Sequence, residues 1–334
     1  RRHGTKDAVV EPGTRLTYRE LDIQTLELAA AFLDAGINKG CRVGLLMPNG
    51  VQWARIAFAL TRVGAVLVPL STLFTPPELS AALRTAAVQH LIAVDEFRGR
   101  RYLDDLPPAG DLPALRAVHR AAALPAEGGG AARRVAEALS RMVRPADPLA
   151  ILFTSGSSGA PKGVRHSHGN AIGAVRSGLS ARCVDADTRQ YLPMPFFWVG
   201  GFAGGLMSAL VAGATLVTEA VPEPDSTLRL LTAEGVTLFR GWPDQAEALA
   251  RHRDQASPVR VAPAPACLDE RAVAHGPSRR VGVGERPGPG DPHGDDTADA
   301  FAVAYNHFRQ READVVERGL KRFQVGCAQL AVPG

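Results

Sequence analysis

The chain has 334 residues, 46% hydrophobic and 22% charged, with a net charge of +4. That length and balance exclude a disordered, collagen-like or small disulfide-stapled protein and allow a sizeable core with two or three subdomains. Only four of the 38 Lys and Arg residues are lysine (Lys6, Lys39, Lys162, Lys321), and no basic cluster is interleaved with aromatics, so the charge does not point to nucleic acid. Cys41, Cys183, Cys267 and Cys327 lie far apart without a CxxC pair. They predict neither a zinc site nor a disulfide framework, and a reducing, cytoplasmic setting. The chain opens Arg1-Arg2-His3-Gly4 without Met, and no apolar segment follows Arg1 and Arg2; we expect no signal peptide and a start partway through a longer protein.

Helix and strand signals alternate over the first 95 residues. Thr17-x-x-Glu20 is a capping box, followed by Leu21, Leu28 and Phe32 on one helical face and by Gly36 as a stop. Cys41–Met47 reads as a buried strand and Pro48-Asn49-Gly50 as a turn. Trp53, Ile56, Ala57 and Leu60 then mark a helix to about Val63, and Ala65–Leu70 a strand. Thr75-x-x-Glu78 is a second capping box, with Pro76 at the first helical position, and Leu91–Val94 a further strand. Residues 106–147 read as a linker region containing a flexible Gly128-Gly129-Gly130 joint and a short helix at Ala131–Val143.

Tyr191–Thr218 holds no charged residue and is long enough to cross a bilayer, but Pro193, Pro195 and five glycines interrupt it. A buried helix and then a strand at Ala214–Val217 is expected instead. Strands of similar build, Ala65–Val68, Ala214–Val217 and Val236–Phe239, each follow a glycine. The expected fold is α/β, with two similar α-β-α layered subdomains at about 1–105 and 148–255, each built around its own sheet. Residues 256–334 contain ten basic and ten acidic residues; Ser257–Thr297 is proline-rich without hydrophobic periodicity, and a helix-like stretch returns only near Ala300–Val325. They are expected to be an irregular tail, and the abrupt change near residue 255 suggests a frameshifted or truncated gene product.

The chemistry lies in Leu149–Asn170. A continuous apolar strand, Leu149–Phe153, empties into Thr154-Ser155-Gly156-Ser157-Ser158-Gly159, followed by Pro161 and Lys162. Small residues expose backbone amides and hydroxyls to an anion, and Lys162 adds a flexible point charge. The spacing is not the G-x-x-x-x-G-K-[ST] loop. A Ser/Gly linker is the bland alternative, but linkers rarely abut a buried strand. His166 and His168 stand at i, i+2 without carboxylate or Cys partners; His168 is expected to open the next helix rather than bind metal.

Thr154–Val164, TSGSSGAPKGV, resembles the phosphate loop of the adenylate-forming superfamily, which includes acyl-CoA synthetases, peptide-synthetase adenylation domains and luciferases. LTYRELD (16–22), Gly40–Leu70, YLPMPFFWVGGF (191–202) and VTLFRGWPDQAEAL (236–249) resemble neighbouring family blocks, so the likeness spans about residues 5–253. The resemblance implies an AMP-forming carboxylate–CoA ligase that uses ATP, Mg2+ and coenzyme A on a small carboxylic acid. It implies that Thr154, Ser155, Gly156, Ser157, Ser158, Gly159 and Lys162 hold the ATP phosphates, with Lys162 stabilising charge and Thr154 close to Mg2+. It places Phe197 and Trp198 at the acyl pocket; many members carry His where Trp198 stands, and the indole favours an apolar fatty or aromatic acid. The family's later aromatic-Gly-x-Thr-Glu block, ribose-binding Asp and C-terminal catalytic Lys are not found, since Tyr305-Asn306 is not followed by Gly-x-Thr-Glu. Two readings follow: a ligase whose chain here is incomplete and weak, or a catalytically inactive nucleotide-binding remnant.

Overall fold

In the computed structural model, residues 3–154 and 162–255 are described, and the loop Ser155–Pro161 and residues 256–334 lie outside the described residues. β1 (Asp7–Glu11) and β2 (Thr14–Thr17) form a hairpin leading into α1 (Tyr18–Asp34). Both capping boxes form. The Glu20 carboxylate accepts from the Thr17 N–H at 2.8 Å, and Glu78 does the same for Thr75 at the start of α3 (Pro76–Thr85). β3 (Arg42–Leu46), α2 (Val51–Arg62), β4 (Val66–Pro69) and β5 (His90–Ala93) follow as the sequence predicts, then the small hairpin β6 (Glu96–Phe97) and β7 (Arg100–Arg101).

The 106–147 segment departs from the linker expectation. β8 (Ala117–Arg120) pairs parallel with β5, His90 opposite Ala117 and Ala93 opposite Arg120. α4 (Gly130–Met142) packs against α1. The triglycine is a place of close approach rather than a flexible joint: a Cβ on Gly128 would fall 2.4 Å from the Ala30 carbonyl carbon, and the Gly129 N–H donates to Asp34 Oδ2 at 2.7 Å. Glycine there is a packing requirement, which composition alone cannot distinguish from chain flexibility.

β9 (Pro148–Thr154) and β10 (Lys162–Ser167) form an antiparallel hairpin, and Ser167 caps α5 (His168–Ser177). β11 (Arg189–Tyr191) precedes a π-helix at Gly200–Met207, α6 (Ser208–Ala212) and β12 (Thr215–Val217). Gly213, at φ 80°, ends α6, so the uncharged stretch is a broken helix plus a strand. No helix among the described residues is long and apolar enough to cross a membrane. α7 (Pro224–Ala233), β13 (Leu238–Phe239) and α8 (Pro243–Gln255) complete the described chain.

Two main sheets result, ordered β13-β11-β12-β1-β2 and β10-β9-β4-β3-β5-β8. Neither belongs to one half of the sequence, contrary to expectation. β1 joins the first sheet through Val9 opposite Leu216, and β9 joins the second through Leu67 opposite Ala150. An apolar strand records burial but not its partner, which is why the local pattern missed the exchange. α1, α2 and parts of both sheets share the largest core, with Trp53 at its centre against Phe196 and Phe202.

Candidate functional site at the carboxyl ends of the strands

β3, β4 and β9 run parallel, so Asn49, beyond β3, and Thr154, at the end of β9, lie at the same edge of their sheet. β11, β12 and β13 are likewise parallel, and Pro193–Trp198 and Arg240–Trp242 follow the carboxyl ends of β11 and β13. In open α/β sheets these ends are where ligands bind.

The register puts Lys162 directly opposite Thr154. The two ends of the predicted phosphate loop are therefore held together by the β9–β10 ladder, with Lys162 exposed. Gly163 has no room for a side chain, since a Cβ would sit 2.9 Å from Ile151. Ser155, Gly156, Ser157, Ser158 and Gly159 fall outside the described residues. His166 is buried on β10, and burial pushes its pKa down; His168 opens α5, as expected. Among the described residues no three His, Cys, Asp or Glu side chains form a metal-binding group.

The other wall begins after β11. Phe197 is buried, whereas Trp198 is 39% exposed. Their rings meet edge-to-face at 5.6 Å, and Trp198 meets Trp242 the same way at 5.7 Å. Asn49 ties this wall to the phosphate-loop sheet. Its Nδ2 donates to the Met194 carbonyl at 2.9 Å, and its Oδ1 accepts from the Phe196 N–H at 2.8 Å. The partners fix which end of the amide is which. In the sequence Asn49 reads only as a turn residue, and the signal for Trp242 is its position in a Gly-Trp-Pro turn just after a strand.

Tyr191, on the opposite face of β11, donates to the buried Glu219 carboxylate at 2.6 Å, as does Thr227. Burial and this carboxylate push the Tyr191 phenol well up. Beside it lies a cavity of about 120 Å³, lined by Tyr191, Pro193, Thr227, Phe239 and Leu249 among others.

The parallel sheets thus bring both ends of the Ser/Gly segment, at Thr154 and Lys162, and the aromatic residues Phe197, Trp198 and Trp242 to strand ends. The family model described as AMP-binding enzyme matches residues 1–290, and the chain belongs to that family. The match runs past residue 253, where the resemblance was expected to end. A curated relative in Mycobacterium tuberculosis, a 3-[(3aS,4S,7aS)-7a-methyl-1,5-dioxo-octahydro-1H-inden-4-yl]propanoyl:CoA ligase, is 32% identical over 73% of this chain and 50% of its own. Feruloyl-CoA synthase of Amycolatopsis sp is 31% identical over 73% of this chain and 47% of its own. The chain thus spans about half the length of these curated relatives. The N-terminal domain of FACL13 from Mycobacterium tuberculosis has the same fold, with TM-score 0.63 and 24% identity over 75% of this chain and 62% of that one.

Proposed function

We propose that this chain is the N-terminal part of an AMP-forming carboxylate–CoA ligase, binding ATP through the β9–β10 hairpin loop and a carboxylic acid against Phe197 and Trp198. The observation that carries this is the pairing of Lys162 with Thr154 at the mouth of a Ser/Gly loop, at the carboxyl edge of a parallel sheet. Acyl-CoA ligases among the relatives support it.

In this reading the acid's carboxylate attacks the α-phosphorus of ATP and pyrophosphate leaves. Charge builds on that leaving group, and Lys162 with the loop amides and hydroxyls of Thr154–Gly159 stabilises it. Hydroxyl and phosphate oxygens suit a hard cation, so Thr154 would help to hold Mg2+, which would supply positive charge to neutralise the leaving pyrophosphate. The coenzyme A thiol then attacks the acyl carbon of the acyl-AMP, forming the thioester as the acyl–phosphate bond breaks and AMP leaves. Asn49 holds Met194–Phe196 in place, so the aromatic wall is set before substrate arrives. The scattered cysteines support a cytoplasmic setting.

The second reading, a nucleotide-binding remnant without turnover, is favoured by Tyr305-Asn306 not being followed by Gly-x-Thr-Glu. We expect carboxylate-dependent ATP–pyrophosphate exchange to be weak or absent with this chain while ATP–Mg still binds. Robust exchange with a fatty or aromatic acid would overturn the claim of weakness. Absence of ATP binding would overturn the nucleotide site itself. Thioester formation on adding CoA separates a ligase from simple adenylation.

A further inference from the structure

The cavity beside Tyr191 takes no part in the ligase reading. Tyr191 and Phe239 stand opposite each other across β11 and β13, with ring centroids 5.4 Å apart. With Pro193 and Leu249 they wall a space of about 120 Å³. Thr227 reaches it from α7, and the exposed Glu223 stands at its rim. The volume is well below that of a pocket for a drug-sized ligand and suits a small head group.

A buried carboxylate backs this space. The Tyr191 and Thr227 hydroxyls both donate to Glu219 Oε1, each at 2.6 Å, and Glu219 is 4% exposed. Burial and that carboxylate push the Tyr191 phenol up, so it keeps its proton and remains the donor. Aromatic faces carry negative charge density, and a phenol donating to a carboxylate gains more of it. Among the described residues Glu27, Glu137 and Glu234 form ion pairs, whereas Glu219 and Glu223 form none. No Lys, Arg or His lines the cavity. It is poor in donors as well: Pro193, Pro222 and Pro224 have no N–H, and the Thr227 hydroxyl is committed to Glu219. Asp225, in the first turn of α7, offsets the positive end of that helix.

We propose that this cavity binds a small alkylammonium cation, its charged nitrogen against the Tyr191 and Phe239 rings and its alkyl groups against Pro193 and Leu249. The site is separate from the ATP and acid sites of the ligase reading and does not depend on them. An anion entering it meets negative ring faces, two carboxylates without ion pairs, and prolines in place of donors. A hard metal ion needs a cage of oxygen ligands that the apolar lining does not supply. A neutral molecule fills the space but leaves both carboxylates without a counter-charge. An alkylammonium ion meets both demands, offering apolar surface to the walls and a weakly hydrated positive charge to the rings and carboxylates.

The test titrates choline and its uncharged isostere 3,3-dimethylbutan-1-ol, alike in shape and differing in charge at one atom, into the full 334-residue chain. Saturation-transfer NMR on the methyl signals reads the binding of each. Choline should bind about tenfold tighter than the alcohol, by the size of a desolvated cation–π contact. Phe239→Leu keeps an apolar wall but removes one ring, and should cut that ratio to about threefold or less. Glu219→Gln removes the buried carboxylate and should lower choline affinity while leaving the alcohol unchanged. Thermal melts establish that each variant folds; if Glu219→Gln does not, Phe239→Leu decides, since it lies on the partly exposed edge strand β13. A parent chain that fails to bind choline, a parent ratio near one, or a preference that survives Phe239→Leu overturns the proposal, as does displacement of choline by inorganic phosphate. Each of those results leaves the ligase reading standing, because none involves ATP or the acid.

Discussion

Removing the Asn49 side chain should loosen the aromatic wall from the sheet that carries the phosphate loop. Asn49→Ala deletes the bonds to the Met194 carbonyl and the Phe196 N–H, at 2.9 and 2.8 Å. Both backbone partners belong to buried residues, so neither turns to bulk solvent when the side chain is removed. A typical hydrogen bond contributes about 1 kcal/mol net, but a buried group left unpaired costs about 1–3 kcal/mol. Two such groups, partly relieved by water entering the vacated space, put the expected loss at about 2–4 kcal/mol. Asn49→Asp is the informative companion, because its carboxylate still accepts from Phe196 N–H but repels the Met194 carbonyl. It should therefore be no more stable than the Ala variant. Urea unfolding monitored by circular dichroism measures the stability change, and acid-induced quenching of tryptophan fluorescence reports whether the wall still binds. A loss below about 0.5 kcal/mol, comparable with an ordinary surface substitution, would show that Asn49 does not anchor the wall.

Gly201→Ala would put a Cβ 1.9 Å from the Pro195 carbonyl oxygen, which is backbone and yields little; about 3 kcal/mol of destabilisation is expected in urea unfolding, and less than about 1 kcal/mol would mean the π-helix shifts freely. Lys162→Ala should weaken ATP–Mg binding roughly 5- to 150-fold in titration calorimetry while leaving acid binding near Trp198 unchanged, and equal ATP affinities would remove Lys162 from the phosphate site. Burial depresses the pKa values of His90, His119, His166 and His168 below their usual 6.5, with His119 and Arg116 also opposing charge on His90. Each is neutral in the fold and gains its proton more readily when unfolded, so this contribution to stability is complete above about pH 6.5 and is lost as pH falls through the folded values. Melting temperature should accordingly decline between pH 7 and 5, and a rise over that range would contradict the assignment.

Features fixed within a few residues were legible in the sequence. Both capping boxes, the stop at Gly213 and the strand feeding Thr154 are local, and the structure reproduces them. Long-range choices were not legible. β1 and β9 each cross into the sheet built mainly from the other part of the chain, because hydrophobic patterning encodes a buried face and not a neighbour. β8 hid in a Pro- and Arg-rich stretch because an edge strand needs little apolar character, and its alternating exposure differs from that of the central strands. At the proposed site, the Ser/Gly segment after Thr154 stands out by composition. Asn49 and Trp242 do not, since their roles arise from contacts across 145 residues and 44 residues respectively (Asn49 to Met194, Trp198 to Trp242).

The central claim is that the carboxyl ends of the two sheets form one site, with the nucleotide at the β9–β10 hairpin and the acid at the wall held by Asn49. A non-hydrolysable acyl-sulfamoyl adenosine spans both ends in one molecule, and titrating it into the full chain tests the claim most directly. The account predicts one equivalent bound, with Trp198 and Trp242 fluorescence changed and both ATP–Mg and free acid displaced. If the compound displaces ATP–Mg but leaves acid binding and the indole signal untouched, the two ends are separate sites and the account is wrong.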